Sequence, residues 1–183
     1  MAAPILFCLA AAASSLPPSA AKLVGTYDGH QMEMAAGLEL RADGRFEYGL
    51  SYGALDEEAK GKWALSGDKV LLTSDPVNLP RFSFVGQRPA AAGNLEISLD
   101  VPKGMSAQYF DGMFITARQH GGQEQLSDDG PRSWPIDKAD PPTKAMVVLQ
   151  MFGLHSDPVA IDPAKGYALR FRFEPNDLGK VDF

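Results

Sequence analysis

The 183-residue chain has one cysteine, three histidines and two tryptophans, and these scarcities exclude whole classes of chemistry. Cys8 is the single thiol, so a disulfide within the chain, a thiolate metal cage and a cysteine nucleophile further along are all ruled out. After residue 21 no apolar run reaches the length of about 18 residues that a membrane-spanning helix needs. Clustered positive charge is missing too. Seventeen Lys and Arg are scattered among 23 Asp and Glu, for a net charge of −6. Without a basic face to release phosphate counterions, nucleic acid is excluded as a partner. Neither a G-x-S-x-G elbow nor an H-E-x-x-H stretch occurs, so no local motif marks a hydrolase.

The opening stretch "MAAPILFCLAAAASSLPPSAA" has no charged side chain, and its apolar run from Ile5 to Ala13 gives way to Ser, Pro and small residues. That layout predicts a secretory signal peptide over residues 1–21. Cleavage is expected after Ala21, where Ser19 and Ala21 supply small side chains, with a periplasmic or secreted destination. Bulky Phe7 before Cys8 argues against lipid attachment.

Beyond the leader the chain reads as all-β, an antiparallel meander packed with or preceding a small β-sandwich. The meander spans residues 22–77, with strands expected near 24–34, 38–42, 45–52, 60–65 and 69–74. Its clearest hairpin is "GLELRADGRFEYGLSYG", which alternates apolar and polar positions on both sides of Asp43-Gly44. Phe46, Tyr48 and Leu50 then share one face. "ALDEEAKG" reads as a wet acidic loop. The second region, 78–183, holds about seven short strands, among them "RFSFVG", "NLEISLDVP", "GMFITARQ" and "AMVVLQMF". Its clearest period-2 stripe is Tyr167, Leu169, Phe171 and Phe173. "SDDGPRSWPIDKADPPTK" carries four prolines and reads as a long ordered loop.

"LVGTYDG" opening a meander with "LRADGRFEY" and "GKWALSGDKVLLTS" resembles the lipocalin-like, calycin-related modules of exported bacterial proteins over Leu23 to Ser74. The later "YFDGMFITAR" with "LSDDGPRSWPI" is similar to carboxypeptidase-regulatory or transthyretin-like β-sandwiches. These resemblances imply an up-and-down sheet followed by a sandwich without catalysis of its own. Neither carries a defined set of active residues onto this chain.

Candidate sites follow from residue type. In "GHQMEM", His30, Met32 and Met34 stand at alternate positions and share one face if the segment is extended. Imidazole and thioether suit Cu(I), yet methionine also fills cores. Inward packing of Met32 and Met34 with His30 near the surface is the expectation, and no cofactor is required; a copper-binding face is the alternative. His120 before Gly121-Gly122, and His155 beside Ser156, read as turn residues. Asp128, Asp129 and Asp137 supply oxygen donors but lack the spacing of a calcium loop. Tyr27, Tyr48, Tyr52 and Trp63 concentrate in the meander, and Trp134 lies in the Pro-rich loop. Tyr and Trp tolerate half-wet positions and recur in ligand grooves. The sequence therefore points to an exported, non-catalytic binding or interaction protein, its partner a small molecule or an envelope protein. A soft-metal protein and a small hydrolase with residues converging from the second region are the alternatives.

Overall fold

Alternating side chains become strand after strand. The computed structural model describes residues 18–183, with one α-helical turn, α1 (Pro18–Ala21), three 3-10 turns and fourteen strands. The chain divides into two compact units, one running up to Val77 and including Gly179–Phe183, the other comprising Asn78–Leu178. Each has its own apolar cluster.

The first unit is one antiparallel sheet of β1 (Gly25–Asp28), β2 (Met34–Leu40), β3 (Arg45–Tyr52), β4 (Leu55–Ser66) and β5 (Lys69–Ser74), in that order. Its register sets Leu40 opposite Phe46, Phe46 opposite Gly61, and Gly61 opposite Ser74, which gathers the apolar side chains on one face. Leu40, Phe46, Ala59 and Trp63 are buried there with Ala20 of α1. Gly61 is required by close approach. A Cβ at that position would lie 2.1 Å from the Thr73 carbonyl oxygen and 2.7 Å from the Phe46 ring. At the predicted Asp43-Gly44 turn, Gly44 takes a left-handed conformation (φ 78°) and the Asp43 carboxylate accepts from the Arg45 amide. Trp63 Nε1 donates to the Arg41 carbonyl at 2.9 Å and ties the turn to β4. The last residues return to this sheet. Glu58 N donates to Gly179 O and Val181 N donates to Glu58 O, while the Phe183 ring meets Tyr48 edge-on at 5.3 Å.

Two local expectations fail here. The acidic stretch predicted as a loop is the first half of β4, because Leu55, Glu57 and Ala59 turn toward the apolar face while Asp56, Glu58 and Lys60 point to water. Dense charge hid an ordinary alternation. "GHQMEM" is a turn rather than a strand: Gln31 and Met34 exchange two backbone hydrogen bonds, and Glu33 takes φ 64° between them.

The second unit holds two sheets. One has the order β10 (Arg132–Pro135), β7 (Asn94–Asp100), β14 (Ala168–Glu174) and β6 (Arg81–Arg88), with β7 and β14 parallel. The other places β11 (Pro142–Leu149) next to β8 (Asp111–Thr116), which pairs with β9 (Gly121–Gln125). The short β12 (Leu154–His155) and β13 (Val159–Ala160) pair with the other edge of β11. Leu169, Phe171 and Phe173 of the predicted stripe are buried with Leu95, Ile97, Phe110, Val147 and Leu149. Burying each such side chain contributes about 1.5–3 kcal/mol.

The all-β, mainly antiparallel architecture is present, and the family resemblances are corrected. The meander is an open sheet whose outer strands β1 and β5 do not pair, so it is no lipocalin barrel. Five strands are too few, since a small closed barrel takes about eight. The second region is likewise no closed sandwich of the transthyretin-like kind: its sheets are open, one with a parallel pair at its centre, the other with an edge broken into two-residue strands. The expected leader falls mostly on residues 1–17, outside the described residues. Its last four form α1, where Ala20 is fully buried.

Candidate functional site

The β8–β9 hairpin and the chain entering β11 build the most organised polar cluster of the second unit. Thr116 ends β8, and the hairpin closes through Thr116 N to His120 O at 2.8 Å, with Gln119 at φ 65°. Asp140 stands just before Pro141-Pro142, where the chain enters β11. The residue is only 6% exposed, yet its carboxylate is fully engaged. It accepts from Thr116 Oγ1 at 2.8 Å, from Arg118 N at 2.9 Å and pairs with His120 Nδ1 at 2.7 Å. Burial pushes the Asp140 carboxyl up, but the bonds from Thr116, Arg118 and His120 outweigh it and hold the group below the usual carboxylate range.

An ionised carboxylate only accepts, so the neutral His120 ring carries its proton on Nδ1 and leaves the Nε2 lone pair outward. The imidazole is held by Asp140 while its side chain is 74% exposed. It stands at the rim of a cavity of about 250 Å³. Phe114, Trp134, Ile136 and Pro142 supply apolar wall, and Thr116, His120, Asp137 and Asp140 the polar part. Phe114 and Trp134 meet edge to face with ring centroids 5.6 Å apart. The "HGG" sequence explains this wall. A Cβ on Gly122 would come within 2.5 Å of the Phe114 ring, and one on Gly121 within 2.5 Å of the Phe114 carbonyl oxygen. Only glycine lets β9 lie this close. Trp134 is buried, and its Nε1 has no hydrogen-bond partner among the described residues, a rare condition for a buried donor.

The residues singled out from sequence are dispersed. Trp134 lines the cavity, whereas Trp63 is a core residue of the first unit. Tyr48 is half-buried against Phe183, and its hydroxyl is pushed up by burial and by the Glu57 charge. Tyr27 and Tyr52 are exposed, the Tyr27 hydroxyl donating to the Leu23 carbonyl at 2.7 Å. Met32 sits at a hairpin tip and is 92% exposed, so its inward packing is corrected: a two-residue turn projects its side chain into water. Met34 is half-buried and His30 exposed. Among the described residues no group of three or more His, Cys, Asp or Glu side chains is arranged to hold a metal ion.

His155 and Ser156 are not a catalytic pair. Ser156 is buried, its hydroxyl accepting from Val147 N and donating to the Asp157 carbonyl. Asp128 serves the local fold, accepting from Ser106 Oγ and Ala107 N, and those two bonds lower its carboxyl below the usual range. Sequence reasoning missed Asp140, Thr116 and Phe114. The available signals were the double glycine after His120 and an acid immediately before Pro-Pro.

No protein-family model, curated protein or solved structure matches this chain. Aromatic clusters and exposed large apolar side chains are nonetheless present in both units, as a ligand- or protein-binding surface requires. No helix among the described residues is long and apolar enough to cross a membrane.

Proposed function

We propose that this is a binding protein whose ligand pocket is the cavity between the β8–β9 hairpin and the β10–β11 connection. The observation that carries the reading is the meeting of an edge-to-face Phe114–Trp134 wall with a histidine held by a buried, ionised aspartate. Apolar walls with a few fixed polar groups are what small-molecule sites use for affinity and orientation. Binding is favoured over hydrolysis because the one hydroxyl lining the cavity, that of Thr116, already donates to Asp140. That carboxylate, held below the usual range, is a weak base, and the Thr116 oxygen is buried and already accepts from His120 N at 3.1 Å, so it is neither activated nor free to attack. A fragment screen on 5-fluorotryptophan-labelled protein tests this, since the two tryptophans report one unit each. Hits should shift the Trp134 resonance and be weakened by Phe114→Ala; hits confined to Trp63 would contradict the reading.

A second surface supports a protein-contact reading of the first unit. Met32 and Tyr52 are exposed at the same end of the β2–β3 pair, and Tyr27 is also exposed. Glu33 and Asp56 flank these positions in the chain and are exposed, which favours a basic partner. Tyr52→Ser should weaken association with such a partner, and added salt should weaken it further.

A further inference from the structure

The cavity's polar groups restrict what it can hold, and this restriction rests on the binding reading above. All three donors at Asp140 are satisfied by one ionised carboxylate, so the neutral His120 ring has a single tautomer compatible with the 2.7 Å contact at Nδ1. Its free nitrogen is then a hydrogen-bond acceptor. Asp137 and Asp140 line the same cavity, and no Lys or Arg among the described residues does. An anionic ligand would therefore meet two carboxylates with no compensating cation. A ligand that donates is matched at His120; the unpartnered Trp134 Nε1 is a donor on a lining residue but is itself buried from solvent.

Size and shape narrow the class further. A cavity of about 150 Å³ lined by apolar side chains already takes up benzene. The space here, about 250 Å³, accommodates one ring with small substituents. Phe114 and Trp134 offer that ring aromatic contact, with Pro135, Ile136 and Pro142 completing the apolar lining. We propose that the pocket selects a single aromatic ring bearing an uncharged hydrogen-bond donor, a phenol or an aromatic amine, which donates to His120 Nε2.

Fluorine NMR of the 5-fluorotryptophan-labelled full chain, titrated with p-cresol, toluene and benzoate, tests the proposal. The three probes share one ring and differ in donor and charge. The expected result is a saturable shift at Trp134 with p-cresol, binding about tenfold weaker for toluene, the worth of one hydrogen bond, and weaker still for benzoate. In His120→Ala the p-cresol and toluene affinities should converge while toluene still binds. Equal affinity of wild-type protein for p-cresol and toluene, or benzoate as the tightest binder, would overturn the donor selectivity and leave the pocket reading standing. A Trp134 resonance unmoved by all three probes would overturn both. The wild-type comparison decides the matter even if the variant does not fold.

Discussion

A single sheet has one face to bury, and the first unit covers that face with short pieces of chain: Ala20 and Leu23 before β1, Val181 and Phe183 at the other end. The second unit buries a larger cluster drawn from two sheets, with thirteen buried apolar residues against five. That difference decides what each can support. A buried, ionised carboxylate such as Asp140 needs walls that exclude water and backbone fixed well enough to supply donors. The second unit provides both, through Thr116, the Arg118 amide and His120. The first unit keeps its charges near the surface, as in the bidentate Arg45–Asp75 pair, and leaves Tyr27 and Tyr52 partly in water.

The largest effect should come from deleting a ring in the thicker core. Phe171→Ala should cost about 3–5 kcal/mol of the second unit's stability, read by denaturant titration of the Trp134 signal. A loss below about 1 kcal/mol would show that this face is not the core. Phe46→Ala is the matching change in the first unit, where the ring also has no exposure. With so few other buried side chains to hold the sheet, the Trp63 environment should be lost altogether.

Glycine substitutions sharpen the comparison at intermediate size. Gly61→Ala forces a methyl against the Thr73 carbonyl oxygen and the Phe46 ring, so it should destabilise the first unit by about 1–3 kcal/mol. Gly122→Ala instead meets first the Phe114 ring, at 2.5 Å. It should displace that ring and weaken p-cresol binding more than it lowers the melting temperature. Unchanged affinity would show that the aromatic wall is not part of the site.

Acid separates the units by a smaller margin. Asp140 and Asp128 in the second unit and Asp75 in the first have carboxyls lowered by their hydrogen bonds, for Asp75 chiefly that from Arg45. A depressed folded value contributes stability that is fully present above the unfolded value of about 3.9 and is lost as pH falls through the folded one. The urea midpoint should therefore hold between about pH 6 and 5 and fall below about pH 4, with Asp140→Asn flattening the fall at Trp134. A midpoint that rises on acidification would contradict the bonding described for these carboxylates. The smallest effect belongs to Met32→Ala, which should stay within about 0.5 kcal/mol, as an exposed tip position does.

Sequence legibility followed the range of the interactions. Period 2 placed Phe171 and Phe173 in the core because strand parity is local. Asp43-Gly44 marked its turn for the same reason. The first half of β4 was missed because charged residues occupied its solvent face, and "GHQMEM" because alternate residue types look alike in a strand and a two-residue turn. Glu33 in the left-handed region gives no compositional warning, unlike glycine. Trp134 was legible as a candidate from its type alone. The His120–Asp140 pair was not, since twenty residues separate its members and only the pairing of β8 with both β9 and β11 brings them together.

The most direct test of the central claim is the protonation pattern of one ring. Long-range proton–nitrogen correlation spectra of 15N-histidine-labelled protein at neutral pH distinguish the two imidazole tautomers. The bonding to Asp140 predicts that neutral His120 carries its proton on Nδ1 and leaves Nε2 bare, and the pocket proposal adds that the Nε2 signal moves when p-cresol is added. A His120 ring protonated on Nε2, with Nδ1 bare, would contradict the account of the site.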